Sequence, residues 1–391
     1  MFTIVIKLYL RNKLKLILSN KSPVLDVIIV GAGPAGLVTA LGLSGFSTRV
    51  YEALDKPNKD KLCAGFVPIT VFEEFNLPKN LYRHEVSAFR FFRPMGDSVA
   101  VEFNYMVGGN VDRTEFAEYL AKLATSQGVE LCTGIRVMDF RERDGYVEVV
   151  TGEGVEKAKF LVISCGVKDR LPFKVINPFT RDRLGLCIQV DAPSKVDARG
   201  ENWIFYGEKY SPFGYAWIFP KDKVTSIGLG ALISHIKSNL RLYLAKLKEY
   251  HEFDLNKARF HPVPLSGPIK NIATRRVLLV GDSAGHVSPI TGEGIKYAMF
   301  AGREAAKAIS MALRGDISVK DVRTVYLKGL SKTVFPDLRI GRMLMRIVER
   351  RMLKSSGLFK DREKLRAVAE LYASNISHFK AALKYLKAVV S

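Results

Sequence analysis

The chain has 391 residues, 60 Lys and Arg against 39 Asp and Glu, and a formal net charge of +21. This length holds two packed domains, and the charge selects anionic partners such as acidic lipid headgroups or phosphorylated substrates; with no Lys/Arg run interleaved with aromatics, nucleic acid is excluded. Cys63, Cys132, Cys165 and Cys187 form no C-x-x-C pair and the six histidines lack ligand spacing, so no metal site, cluster or disulfide framework is expected, and the setting reads as reducing and cytoplasmic.

Residues 1–23 alternate apolar runs with Lys7, Arg11, Lys13, Lys15 and Lys21, without the continuous apolar region of a signal peptide. An amphipathic membrane-contact helix, a misassigned start and a disordered tail all fit this basic extension. No stretch reaches the roughly 18 apolar residues of a membrane span, so membrane contact would be peripheral, on the inner face. The run D-V-I-I-V at 26–30 reads as a buried parallel strand. Gly31-Ala32-Gly33-Pro34-Ala35-Gly36 follows it directly. These glycines permit a tight turn that brings the backbone to a pyrophosphate at a helix N-terminus. Glu52 ends the next apolar run, where an acid accepts from ribose hydroxyls. The motif leaves NAD and FAD both open.

Alternation over 88–93 and 99–103 predicts strands. Val111-Asp112-Arg113 opens a helix with Phe116, Leu120 and Leu123 on one face, and places Arg113 toward a phosphate or ribose, or toward solvent. Further strands are predicted at 184–190, 203–206, 215–219 and 225–229, giving an antiparallel sheet inserted in two pieces. Within the run from Pro212 to Pro220, which reads P-x-x-Y-x-W-x-F-P, Tyr215, Trp217 and Phe219 alternate and share one face. That face suits the wall of a long apolar pocket, or a sheet core. The strand at 276–280 precedes Gly281-Asp282-Ser283-Ala284-Gly285, a loop with Gly292 and Gly294, and a helix from Ile295. Asp282 at a strand end suits ribityl hydroxyls, the two glycines leave backbone free against a flat ring, and the helix aims its positive end at the ring's pyrimidine edge. This arrangement selects FAD. From 316 onward the chain reads helical and basic. Arg339, Arg342, Arg346 and Arg350 share one face and Ile340, Leu344, Ile347 and Val348 another, as in a membrane-surface helix or a capping helix with a solvated side.

These motifs resemble the flavoproteins of the para-hydroxybenzoate hydroxylase-like superfamily over about 24–308. The Pro212–Pro220 run and Lys61-Leu62-Cys63-Ala64-Gly65 are similar to the geranylgeranyl reductases, and among them to the archaeal digeranylgeranylglycerophospholipid reductases. Two departures stand out: Ser164-Cys165-Gly166 keeps only the glycine of the usual Thr-Gly turn, and Ala64-Gly65 stands for a glycine pair. The resemblance implies an α/β fold: a Rossmann-like FAD-binding domain (24–82, 110–165 and 269–313), an inserted antiparallel β-sheet substrate domain (83–109 and 166–268) and a C-terminal helical region (314–391). It implies FAD held at Gly31, Gly33, Ala35, Gly36, Glu52, Cys63, Ala64, Arg113, Val137, Asp282, Gly292, Gly294 and Ile295. Cys63, Tyr215 and Trp217 would be catalytic, with Pro212, Phe219 and Pro220 in the substrate pocket. The implied reaction hydrogenates C=C bonds of geranylgeranyl chains on a prenylated membrane lipid. Cys63 would assist protonation; an ordinary packed cysteine is the alternative. Electrons would come from NAD(P)H or a ferredoxin, because no second G-x-G-x-x-G exists. A flavin monooxygenase and a quinone-linked electron-transfer flavoprotein share the flavin signatures. A halogenase would carry W-x-W-x-I-P, where only Trp217-Ile218-Phe219-Pro220 stands.

Overall fold

A computed structural model describes residues 24–59, 61–94, 96–194, 199–352, 362–374 and 376–390. The expectations for residues 1–23 lie outside these. The apolar run β1 (Leu25–Val30) is a central strand, paired in parallel with β2 (Thr48–Glu52) and with β11 (Gly154–Ile163). Buried on both faces, such a strand needs the continuous Val-Ile-Ile-Val that the sequence supplies. β8 (Glu130–Thr133) extends the sheet beyond β2. β11 is shared lengthwise on its other side. Residues 154–158 pair antiparallel with β10 (Val147–Thr151), and 161–163 pair in parallel with β17 (Val277–Leu279). β9 (Val137–Glu142) closes the β10 edge.

Helix α1 (Pro34–Leu41) starts with proline at its first position, where the missing N–H costs nothing and φ is already helical. α1 packs against α3 (Arg113–Ser126) and α5 (Ile295–Arg314). Asp112 caps α3 by accepting from the Thr114 and Glu115 amides at 2.9 Å. β3 (Phe66–Pro68), β7 (Gly108–Val111) and β4 (Tyr82–Val86) form a small antiparallel sheet that the sequence reading did not anticipate, and α2 (Ile69–Glu74) follows β3.

The second large sheet runs β16 (Arg259–Pro264), β12 (Leu184–Pro193), β15 (Val224–Leu232), β14 (Gly214–Pro220), β13 (Glu201–Tyr206), β5 (Ala88–Phe92), β6 (Ser98–Glu102). It is antiparallel except where β5 meets β13. That pair runs parallel because its strands come from separate stretches of chain, so no hairpin dictates their direction. β14 divides its side chains by parity. Ala216 and Ile218 pack with Leu240 and Leu244 of α4 (Leu240–Ala245). Trp217 and Phe219 face the other way, with Phe89, Phe91 and two residues of α8 (Arg362–Tyr372), Leu365 and Ala369. α6 (Val322–Thr333), α7 (Phe335–Met352) and α9 (His378–Val390) complete the C-terminal region. On α7 the expected basic face is not uniformly solvated. Arg342 is largely buried and donates to the Asp182 carbonyl and carboxylate at 3.1 and 3.0 Å, because α7 packs across that loop.

Gly36 holds the first turn together. A Cβ there would lie 2.1 Å from the Gly31 carbonyl and 2.5 Å from Ser164 Oγ. The Gly31 contact is to backbone, so the helix has to move. Gly36→Ala is expected to lower stability by about 1–3 kcal/mol and to reduce FAD retention. A melting temperature and flavin content equal to wild type would show that α1 has room that the packing denies.

Candidate active site

A cavity of about 700 Å³ lies between the first sheet and the face of β14 that carries Tyr215, Trp217 and Phe219. One end is built from backbone. Gly31 adopts φ +100°, and a Cβ there would sit 2.6 Å from the Ser164 carbonyl. Gly33 faces open space, with only Asn58 Oδ1 at 3.7 Å from where its Cβ would stand. Glu52, at the tip of β2, accepts from the Ala32 and Leu54 amides at 2.9 Å each, which fixes both the turn and the carboxylate. Ser164, one of the departures from the family pattern, reaches the Val30 and Gly31 carbonyls at 2.8 and 2.9 Å. Its side chain therefore braces the same turn.

The donors at this end fit FAD. Arg113 is buried and its Nε has no protein partner, and Asn58 Nδ2 is a second buried donor without one. Both line the cavity beside the glycine turn. A buried unpaired donor is costly, and a phosphate or ribose oxygen would relieve it. Asp282, just after β17, sits 3.5 Å from Lys61 Nζ, which also lies 3.0 Å from His261 Nε2. Burial and the Lys61 charge press His261 down to about 3, so its ring stays neutral. Gly292 and Gly294 lie on the loop leading into α5, and a Cβ on Gly294 would approach Asp282 Oδ1 at 3.4 Å.

At the other end the wall is aromatic. The Tyr215 hydroxyl donates to the Thr291 carbonyl at 2.5 Å, tying β14 to the Gly292–Gly294 loop. Trp217 Nε1 donates to Ser226 Oγ at 3.2 Å, which leaves the indole face to the cavity. Cys63 stands between the two ends. Gln189 Nε2 donates to its carbonyl at 3.4 Å. Burial pushes the Cys63 thiol up, but the Arg113 guanidinium, the Gly65 amide and the Lys221 ammonium outweigh it and hold the thiol below its ordinary value. Cys165 and Cys187, without cations of that strength, are pushed up to about 12 by burial.

Gly31, Gly33, Ala35, Glu52, Cys63, Ala64, Arg113, Val137, Asp282, Gly292, Gly294, Ile295, Tyr215, Trp217 and Phe219 all line this one cavity. Three expected residues do not. Gly36 acts behind the turn through its lack of a side chain. Pro220 has the opposite parity on β14 and contributes its carbonyl to Asn110 Nδ2 at 2.7 Å instead. Pro212 precedes the strand. The sequence reading also missed Phe66, Phe89, Cys187 and Tyr372. Strand parity signals Cys187 and Phe89, whereas nothing in the local sequence of α8 signals Tyr372.

The chain's similarities follow this geometry. The lycopene cyclase protein family profile matches residues 26–385. A digeranylgeranylglycerophospholipid reductase of Methanocella arvoryzae is 32% identical over 338 residues, 78% of this chain and 85% of the relative. A geranylgeranyl diphosphate reductase of Rhodobacter capsulatus is 28% identical over 328 residues, 81% of this chain and 83% of that one. Among solved structures, a geranylgeranyl bacteriochlorophyll reductase-like protein from Thermoplasma acidophilum superposes with a TM-score of 0.78 at 20% identity, covering 94% of this chain and 96% of its own.

The cation environment of Cys63 has a measurable consequence. In flavin-free protein, Cys63 is expected to be the first cysteine alkylated by iodoacetamide as pH rises. Removing the Arg113 charge destabilises the thiolate, so Arg113→Leu is expected to move that reaction to higher pH. An unshifted pH profile would detach Arg113 from the thiol.

Proposed function

Since the chain belongs to the geranylgeranyl reductase family of FAD-dependent flavoproteins, we propose that it hydrogenates C=C bonds of geranylgeranyl chains on a membrane phospholipid. The observation that carries this reading is the aromatic face of β14 opposite the glycine-built end of one cavity. An unactivated alkene offers no polar handle, so binding has to come from apolar contact, and Trp217, Phe219 and Phe89 supply it. Gly31, Gly33, Glu52, Arg113 and Asp282 would hold the cofactor, which when bound and reduced would supply the hydride. A proton has to reach the other alkene carbon, and the Cys63 thiol is the donor. Its S–H bond breaks as the C–H bond forms. The thiolate left behind faces the Arg113 and Lys221 charges, the same charges that already bring the thiol nearer to neutral pH. Tyr215 keeps its proton throughout, because burial pushes the phenol well above its ordinary value. Its part is to hold the Gly292–Gly294 loop against β14.

The direct test incubates the reduced enzyme with a geranylgeranyl phospholipid and reads product mass. A gain of two hydrogens per double bond is expected; addition of oxygen would instead assign a monooxygenase. Two variants separate the roles. Trp217→Ala should retain FAD but bind lipid more weakly or change which double bonds are reduced. Cys63→Ala should bind FAD and lipid and slow alkene reduction by about 10²–10⁴-fold, the usual worth of a positioned acid. Cys63→Ser should fall between. Single-turnover reduction at the wild-type rate by Cys63→Ala would make Cys63 an ordinary packed side chain.

A further inference from the structure

The C-terminal helix α9 leaves an apolar stripe uncovered by the described residues. Phe379, Leu383 and Leu386 are 56%, 43% and 55% exposed. Their i, i+4, i+7 spacing puts them on one face. Lys380, Lys384 and Lys387 each come one residue later, so a basic strip runs beside the apolar one. A third side of the helix anchors it. Ala381 and His378 are buried, His378 Nε2 lies 2.8 Å from Ser288 Oγ, and its amide donates to Asp337 Oδ1 at 2.9 Å. Lys384 Nζ bonds Glu370 of α8 at 2.6 Å. The stripe therefore points outward from a helix that is already docked.

We propose that this face of α9 docks on an anionic membrane surface and brings the cavity to its lipid. Two observations favour a membrane over another protein. An apolar stripe bordered along one side by lysines suits a helix lying in the lipid interface, and the chain's +21 charge matches acidic headgroups. The stripe is also joined to the site. α8 and α9 pack as a hairpin, and Tyr372 at the end of α8 lines the cavity with its ring 5.4 Å from that of Tyr215 at 87°. Phe379 follows Tyr372 by seven residues. One short segment thus presents apolar side chains to both the interface and the pocket. The purpose of this docking rests on the prenyl-lipid reading; its test does not.

The test uses FAD-loaded full-length protein and flotation with phosphatidylglycerol or phosphatidylcholine vesicles. Wild type is expected to float with phosphatidylglycerol, less so as salt rises, and poorly with phosphatidylcholine. The triple variant Phe379→Ser/Leu383→Ser/Leu386→Ser should bind phosphatidylglycerol about tenfold or more weakly, from the apolar area it withdraws. Flavin content and turnover on detergent-dispersed lipid should be unchanged. Lys380→Glu/Lys387→Glu, which keeps the stripe, should abolish the preference for the anionic vesicle. Undiminished flotation of the triple variant overturns the proposal. So does a wild-type dimer in sedimentation that the triple variant makes monomeric, since the face then belongs to a second copy. Absence of turnover in wild-type detergent assays counts against the lipid-reductase reading alone and leaves the flotation result standing.

Discussion

One buried hydroxyl joins the two halves of this site. Tyr215 belongs to the second large sheet, and its O–H donates to the Thr291 carbonyl on the loop before α5. That loop carries Gly292 and Gly294, which line the cavity, and β14 carries Trp217 and Phe219. A hydrogen bond therefore ties the Gly292–Gly294 loop to the aromatic wall, alongside the packing of the Tyr215 ring against Tyr206, Trp217 and Tyr372. Burial strengthens it in two ways. It leaves the carbonyl no water to turn to. It also keeps the phenol protonated, so the donor is never lost to ionisation. Tyr372 then packs edge-on against the same ring and closes the arrangement from the C-terminal side.

The four cysteines show how far surroundings decide chemistry. Cys165 and Cys187 are buried where desolvation dominates, and both are poor acids. Cys132 is likewise raised, with Glu130 adding to burial. Only Cys63 meets two cations and a backbone N–H that outweigh its burial. Arg113 reaches that position because Asp112 caps α3 and so sets the direction of the first helical side chain. The helix that Asp112 caps thus begins with the cation that acts on a thiol of another segment.

Much of this is legible in the sequence, for local reasons. The glycine turn, the acid that ends β2 and the Asp282 loop are read from residue types at fixed spacing along the chain. The face shared by Tyr215, Trp217 and Phe219 follows from the two-residue period of a strand, and the same period places Pro220 on the wrong side. What the sequence does not carry is pairing between distant segments. β3, β4 and β7 are short and lack clear alternation, so their sheet exists only through mutual contact. Parallel pairing of β5 with β13 depends on the route of the intervening chain. Arg342 looks like a solvated helix arginine until α7 is set against Asp182. Tyr372 lies in a helix whose composition is unremarkable, and its place at the cavity is a product of how α8 folds back.

The lengthwise division of β11 has a consequence for how the chain reaches this state. Its second half waits for β17, which arrives only after the whole substrate-side sheet has been traced. Loop closure across more than a hundred residues is slow, and slower still when the partner is a short parallel strand. During synthesis the ribosome releases β1, α1 and β2 long before the strand that completes their sheet and the helix α5 that covers α1. The nascent cofactor site therefore stays half built, with Gly302 not yet seated against the Ala35 carbonyl that it meets in the finished protein. Completion of the cavity becomes a late event, gated by the maturation of a sheet that itself holds none of the glycine turn.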